Sequence, residues 1–431
     1  MSALPGGDRV RSAFLRTLFE RDLVYQCTDL SALDVSLSAP GAAGGVRTAY
    51  VGFDLTAGSL HVGNLVNIML LRRLQQSGHR PIALLGGGTT RIGDPSGKEE
   101  MRPVLDEATI RANKERIRAT FERFLDTAPG PTGALILDNA EWLDALGYID
   151  FLRDVGRHFT VNRLLALESV KTRLEREQAL SFLEFNYAVV QAYDFVELLD
   201  RAGCTLQMGG SDQWGNITMG VDLARRMRGL DVFGLTCPLL LTPDGKKMGK
   251  TEAGAVWLSS DMLSAYDYWQ FWRNCDDAQV GQLLRTFTEL DIEEIRRLEG
   301  LEGQALNEAK IVLANAATTL LHGAAAAAEA AATASAVFAG GGAAATLPET
   351  LVTAAELADG IPLFALLVRA GLAESGSDAR RVIAERGAAV NGVVRADAAA
   401  VVNAEDLGDD GGIRLSRGKK RHAIVRPAAS A

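Results

Sequence analysis

The sequence predicts an α/β fold built on a parallel sheet, followed by a helical segment and a small α+β unit. Three observations carry this. "TAYVGFDL" at 48–55 reads as a buried strand, the turn "TAGSL" follows, a helical pattern runs from His61 to Gln76, and "RPIALL" opens a second apolar strand. Strand, helix and strand within about 40 residues form a βαβ unit, which requires parallel strands. From 259 to 335 the pattern is helical, and from 362 two short helices precede "AAVNGVVR", where Asn391-Gly392 marks a hairpin turn.

Taken in order, residues 8–30 read as a helix and "PGAAGG" at 40–45 as a loop. After the βαβ unit, "GGGTTRIGDPSG" is a glycine-rich loop, and 106–127 and 148–202 are helical. "CTLQMGGSDQWGN" is a strand, a glycine turn and a helix start, and "FGLTCPLLLTPDG" is the last strand-like run before a lysine-rich loop. "AGGGAAATLPET" reads as a flexible linker. The expected boundaries are 1–240, 241–335, a linker at 336–361, and 362–431.

Composition narrows the class. At 431 residues, 47% apolar and 23% charged, the chain is expected to be a soluble protein of two or three domains. Cys27, Cys204, Cys237 and Cys275 lie far apart, which argues against a zinc site or a disulfide framework. No apolar run approaches the ~18 residues of a membrane span, and the N-terminus lacks a signal pattern. Residues 363–431 carry 11 basic and 8 acidic side chains, whereas the chain as a whole is at −9. A basic tail on an acidic body suggests a polyanion contact near the C-terminus.

The candidate chemistry lies in five stretches. In "YVGFDLTAGSLHVGN", His61 heads a helix whose free N–H groups and dipole favour an anion, although a histidine that only caps a helix leaves the same pattern. In "GGGTTRIGDPSGK" neither a dinucleotide fingerprint nor a P-loop fits. What remains is Asp94, suited to an ammonium group, with Lys98 and Arg102 suited to phosphate. In "FLEFNYAVVQAYDF", Tyr187, Gln191 and Asp194 are spaced i, i+4, i+7 and share a helix face. "QMGGSDQWGN" packs Gly209, Asp212, Gln213 and Asn216 around Trp214. "DGKKMGKTE" gathers Lys246, Lys247 and Lys250, three of nine lysines in a chain with 36 arginines. It misses the P-loop pattern because position 244 is Asp244 and the glycine stands at Gly245.

The ordered set resembles the bacterial-type tyrosyl-tRNA synthetases, a family of class I aminoacyl-tRNA synthetases, from about residue 12 to 427. "HVGN" matches the family's HxGH signature and "KMGKT" its KMSKS-type loop. The resemblance implies a Rossmann-like class I synthetase catalytic domain at 1–240 with an inserted helical dimerisation region at about 120–200. An α-helical anticodon-binding domain would occupy 241–335 and a small α+β S4-like RNA-binding domain 362–431. It also implies a cytoplasmic homodimer that uses L-tyrosine, ATP with Mg2+, and tRNA(Tyr).

Site roles follow by matching position. His61 and Asn64 would hold ATP phosphate. Lys247, Lys250 and Thr251 would grip the pyrophosphate, with Lys98 and Arg102 on its other side. Gly52, Asp54, Gly63, Gly209 and Asp212 would line the adenosine site. Asp94, Tyr187 and Gln191 would hold the tyrosine ammonium, Gln213 the carboxylate end, and Tyr50 and Asp194 the phenol hydroxyl. No resident metal site is expected. The chain departs from the family pattern at Asn64 in place of histidine, Val51 in place of cysteine, and Leu55 in place of a turn-stiffening proline. A tryptophan-specific relative of the same fold and an inactive RNA-binding paralogue are the competing expectations. Tyr50 with Asp194 argues against the first, and His61 with the lysine loop against the second.

Overall fold

The computed structural model describes residues 10–38, 45–96, 105–242, 245, 247–251, 254–338, 348–408, 411–418 and 421–428. They divide into two compact units, 1–263 with 272–321, and 264–271 with 322–431.

The first unit is built on a six-stranded sheet. Its strands are β1 (Gln26–Cys27), β2 (Thr48–Phe53), β3 (Arg80–Leu85), β4 (Leu135–Asp138), β5 (Cys204–Gly210) and β6 (Phe233–Cys237), in the order β1-β6-β5-β2-β3-β4. All neighbours are parallel except β1, which runs antiparallel to β6. From β2 the chain winds outward through β3 and β4; from β5 it winds the other way to β6. The winding therefore reverses between β2 and β5, and α/β folds bind ligands beyond the carboxyl ends of the strands at such a switch point.

The helices α1 (Ala13–Glu20) and α2 (Leu30–Leu37) replace the single helix expected over 8–30. Asp22 takes φ 56°, and Asp29 caps α2 by accepting the Ala32 N–H. Between them Gln26 and Cys27 extend to pair with the edge of β6. Left-handed backbone at Asp22 ends α1, and the Asp29 cap starts α2.

After β2 come α3 (Val62–Gln76) and α4 (Glu107–Phe124). The helical region expected over 148–202 is a series of short pieces and one long helix. Preceded by α5 (Ala140–Leu143), they are α6 (Tyr148–Asp154), α7 (Val161–Leu165), α8 (Glu168–Glu175), α9 (Phe182–Phe185) and α10 (Tyr187–Ala202). Thr160 and Ser181 start new helices as N-caps inside that span. With α11 (Trp214–Arg228), α10 covers one face of the sheet, and Tyr50, Ile82, Trp142, Val189, Phe195 and Met219 share one buried core.

The lysine loop contributes a small hairpin, β7 (Lys250–Thr251) and β8 (Gly254–Ala255). Helices α12 (Ala265–Arg273), α13 (Val280–Phe287), α14 (Ile292–Glu299), α15 (Leu306–His322) and α16 (Ala324–Phe338) follow. The C-terminal end of α13 is clasped by arginines. Arg21 donates to the carbonyls of Arg285 (2.9 Å), Thr288 (3.1 Å) and Leu290 (2.6 Å), and Arg73 donates to Thr288 as well. Arg72 pairs with Glu289 at 2.7 Å. Cations there neutralise the orphan carbonyls of the helix end.

The second unit carries β9 (Glu349–Val352), α17 (Ala354–Asp359), β10 (Ile361–Pro362), α18 (Leu363–Arg369) and α19 (Gly376–Ala384), then β11 (Ala388–Val390), β12 (Val393–Arg395), β13 (Val401–Val402), β14 (Ile413–Arg417) and β15 (Arg421–Pro427). Its sheet has the order β12-β11-β14-β15-β9. The Asn391-Gly392 hairpin is as expected, with φ of 48° and 80° at the two turn residues. The linker expected over 336–361 is too long. Glu349–Val352 pairs in parallel with Ile424–Pro427, and Thr353 with Glu356 forms a capping box on α17. A four-residue strand has little pattern of its own, and its order comes from a partner some 70 residues downstream.

Candidate active site

His61 is the N-cap of α3. Its Nδ1 accepts the Gly63 N–H at 3.0 Å, while Asn64 Oδ1 accepts the His61 N–H at 3.1 Å. The capping role left open by the sequence is therefore present, and it has a chemical consequence. With Nδ1 held as an acceptor, the proton of neutral His61 sits on Nε2. Asn64 supplies the other half of this capping box, so the expected HxGN pair is one local structure.

The lysine loop lies against this turn. Val62 donates to the Val256 carbonyl at 2.9 Å, and Val256 donates to the Gly249 carbonyl at 3.0 Å. Gly249, at φ 112°, leaves no room: a Cβ there would stand 2.7 Å from Gly63 N. Lys247 Nζ bonds Asp212 Oδ2 at 2.7 Å, joining two residues expected to serve phosphate and ribose separately. Lys250 and Thr251 are placed by backbone alone, in β7. Lys98 and Arg102 lie outside the described residues.

The strand ends bring the next group together. Gly52 lies one residue from the end of β2 and Asp54 just beyond it, Asp94 follows β3, and Gly209 lies one residue from the end of β5 ahead of Asp212 and Gln213. Asp94 is buried; it accepts the Ser96 N–H at 2.9 Å and Gln213 Nε2 at 2.8 Å. Asn216 in turn donates to Gln213 Oε1 at 3.0 Å. Burial first, and then the charge of Asp54, raise the Asp94 pKa. Ammonium would be its natural counter-charge.

Deeper in, Tyr50 and Asp194 are both buried, and the Asp194 charge acts on the Tyr50 hydroxyl. Tyr50 is 1% exposed, and its hydroxyl has no hydrogen-bond partner among the described residues. Burial and then the Asp194 charge push its pKa well up. Asp194 accepts Asn139 Nδ2 at 3.0 Å and Trp142 Nε1 at 2.8 Å, yet burial still lifts its pKa to about 7. Tyr187 opens α10 and is buried; Gln191 is half-buried, and its Oε1 has no hydrogen-bond partner among the described residues. Orphaned buried polar atoms beside a carboxylate suit a ligand that brings its own hydroxyl and ammonium.

The sequence reading missed β4 and the residues that leave it. Asp138 accepts the Gly87 N–H at 3.1 Å, and Asn139 Oδ1 accepts the Gly88 N–H at 2.8 Å. A Cβ on Gly87 would meet Asp138 Oδ1 at 2.2 Å, which accounts for a glycine at this point of the loop. The signal was "LILDNAEW", a short apolar run ending in Asp-Asn at a strand terminus. Of the departures, Leu55 is held without proline, since its N–H reaches Thr90 Oγ1 at 2.9 Å and its carbonyl accepts Asn113 Nδ2 at 2.8 Å.

A parallel sheet with a signature histidine and a lysine loop at its switch point defines a class I synthetase site. Residues 44–339 match the family profile of class I tRNA synthetases (W and Y), and residues 344–425 match that of the tyrosine–tRNA ligase SYY-like C-terminal domain. This chain belongs to the class I tRNA synthetase (W and Y) family. It is 54% identical over 418 residues to a tyrosine–tRNA ligase of Dinoroseobacter shibae, covering 97% of this chain and 99% of that one. It is 55% identical over 416 residues to that of Rhodospirillum rubrum, covering 96% and 98%. A truncated mitochondrial tyrosyl-tRNA synthetase from Coccidioides posadasii superposes with a TM-score of 0.64 at 29% identity, over 74% of this chain and 91% of that structure.

Proposed function

We infer that this chain is an enzyme with tyrosine–tRNA ligase activity. It joins L-tyrosine to ATP, giving tyrosyl-adenylate and pyrophosphate, and passes the tyrosyl group to the 3′ end of tRNA(Tyr). The observation that carries the choice of tyrosine is the buried Tyr50 hydroxyl, which has no hydrogen-bond partner among the described residues and feels the charge of Asp194. An indole presents no hydroxyl to that pair.

The substrate carboxylate is already a nucleophile, so activation calls for positioning and charge stabilisation rather than a base. Asp94 would take the tyrosine ammonium with Tyr187 and Gln191, and Gln213, already bonded to Asp94, would sit at the carboxylate end. His61 Nε2–H and Asn64 would hold ATP phosphate. Gly52, Asp54, Gly63, Gly209 and Asp212 would line adenosine and ribose. Lys247, Lys250, Thr251, Lys98 and Arg102 would stabilise departing pyrophosphate as mobile cations. Mg2+ would enter with the ATP phosphates as part of the substrate, held mainly by phosphate oxygens.

The remaining assignments are readings of the same kind. The helices of 241–335 would serve the anticodon. The unit from 349 onward, with its basic tail, would serve tRNA in the manner of an S4-like domain. Tyr148, Ile149, Val161, Leu174 and Phe182 are all exposed on the inserted helices, which supports a second copy of the chain covering them in a homodimer. No described helix is long and apolar enough to cross a membrane, and a cytoplasmic enzyme accords with that. Tyrosine-dependent ATP–pyrophosphate exchange tests the whole reading. Exchange with tyrosine and none with tryptophan is expected; exchange driven by tryptophan, or by no amino acid, would overturn it.

A further inference from the structure

A second stripe runs along α10, one step round from Asp194. Tyr193, Glu197 and Arg201 follow at i, i+4, i+8, so they stand in line on one face. The Tyr193 hydroxyl donates to Glu197 Oε1, and Arg201 Nε donates to Glu197 Oε2 at 2.6 Å. The Tyr193 ring meets Phe151 edge-on, with centroids 5.6 Å apart. Glu197 is thereby held from one side by an anchored phenol and from the other by a guanidinium.

By itself an i, i+4 pair with Arg201 49% exposed contributes little. Its position gives it a second effect. The Arg201 guanidinium carbon lies 5.2 Å from the ring centroid of Trp142. Trp142 is 3% exposed, and its indole N–H is one of two side-chain donors to Asp194 among the described residues. An indole N–H lies in the ring plane, so tilting the ring swings the donor off its acceptor. A cation over the ring face resists that tilt. A continuous chain therefore leads from the surface inward: Glu197, Arg201, Trp142, Asp194, Tyr50.

We propose that Arg201, oriented by Glu197, is a positioning residue for amino-acid selection, fixing the plane of Trp142 so that Asp194 stays aimed at the phenol hydroxyl of the substrate. The proposal rests on the reading of Tyr50 and Asp194 as the phenol site. A pocket rejects phenylalanine only while its polar groups are held where the missing hydroxyl should be. If Asp194 turns aside, phenylalanine strands nothing and the discrimination shrinks.

The test is ATP–pyrophosphate exchange with tyrosine and with phenylalanine, in Arg201→Met, Arg201→Lys and Asp194→Asn. Arg201→Met keeps the apolar stem and removes the cation. It is expected to raise the tyrosine KM and narrow the tyrosine-to-phenylalanine ratio of kcat/KM by roughly two- to fivefold, the size of an exposed cation–π contact, with the ATP KM unchanged. Arg201→Lys keeps a cation over the ring and should restore most of the ratio. An unchanged ratio in Arg201→Met, whatever happens to its melting temperature, overturns the inference while a collapsed ratio in Asp194→Asn leaves the pocket reading standing. An intact ratio in Asp194→Asn overturns the pocket reading, and the inference falls with it.

Discussion

Gly63 and Gly249 stand back to back. A Cβ on Gly249 would lie 2.7 Å from Gly63 N, and a Cβ on Gly63 would lie 2.8 Å from the carbonyl oxygen of Met248. The histidine turn and the lysine loop thus meet through bare backbone, and Gly249 holds a φ of 112° that side chains avoid. Gly249→Ala should force the loop off its seat at a strain of about 1–3 kcal/mol. We expect tyrosine activation to slow by roughly ten- to a hundredfold with tyrosine affinity nearly unchanged, read by single-turnover adenylate formation and equilibrium dialysis.

Lys250 offers a sharper division between binding and chemistry. Lys250→Ala should slow adenylate formation by on the order of a hundredfold, the effect of removing one well-placed transition-state group. Tyrosine Kd should stay within about twofold, because the lysine would act on pyrophosphate alone. A large loss of tyrosine affinity would contradict the assignment.

The raised pKa of Asp194 predicts a pH dependence of stability. Its folded value, about 7, lies above the ordinary aspartate value of 3.8. Between those values the folded chain keeps a proton that the unfolded chain has released. Stability from this group is therefore complete below the lower value, falls as pH rises through the window, and levels off above about pH 7, with a slope of at most ~1.4 kcal/mol per pH unit. Denaturant titrations across pH 4–8 should show this decline, and Asp194→Asn should flatten it.

The arginine clasp on α13 predicts unequal losses. Arg21→Met strips the carbonyls of Arg285 and Leu290 of this donor and should cost about 1–3 kcal/mol. Arg73→Met should cost less, because Thr288 keeps its bond from Arg21 at 3.1 Å and a buried cation is removed. Urea unfolding midpoints of the two variants rank them directly.

The C-terminal sheet of the second unit is also open to experiment. Truncation after residue 343 should leave tyrosine activation near wild-type rates and lower tRNA charging by tenfold or more. Truncation after 361 keeps Glu349–Val352 but removes the strand it pairs with. We expect that protein to aggregate more, by light scattering, because an orphaned strand offers its edge to others.

What the sequence made legible was what local chemistry dictates. Alternation and apolar runs marked β2, β3, β5 and α3, and glycine turns marked the strand ends at Gly86 and Gly209. The candidate residues His61, Asp94 and Gln213 stand at the helix start and beyond the strand ends that the motifs implied. Asn139 and Trp142 were not legible, because their role depends on β4 docking beside β3 and delivering two donors to Asp194. The strand at Glu349 was hidden for the same reason. Each is defined by a partner distant in sequence, and no local pattern records it.

That distant partner sets the order of events during synthesis. Glu349 pairs with Ile424, so the first strand of the second unit waits for this partner until a segment some 70 residues downstream has been made. Closing a contact that long is slow compared with forming the helices in between. The first unit contains every described residue of the proposed activation site, and it can assemble while the ribosome is still at work. The tail's sheet is completed only once Ile424–Pro427 has been made, so until then a folded first unit carries an unfinished tail.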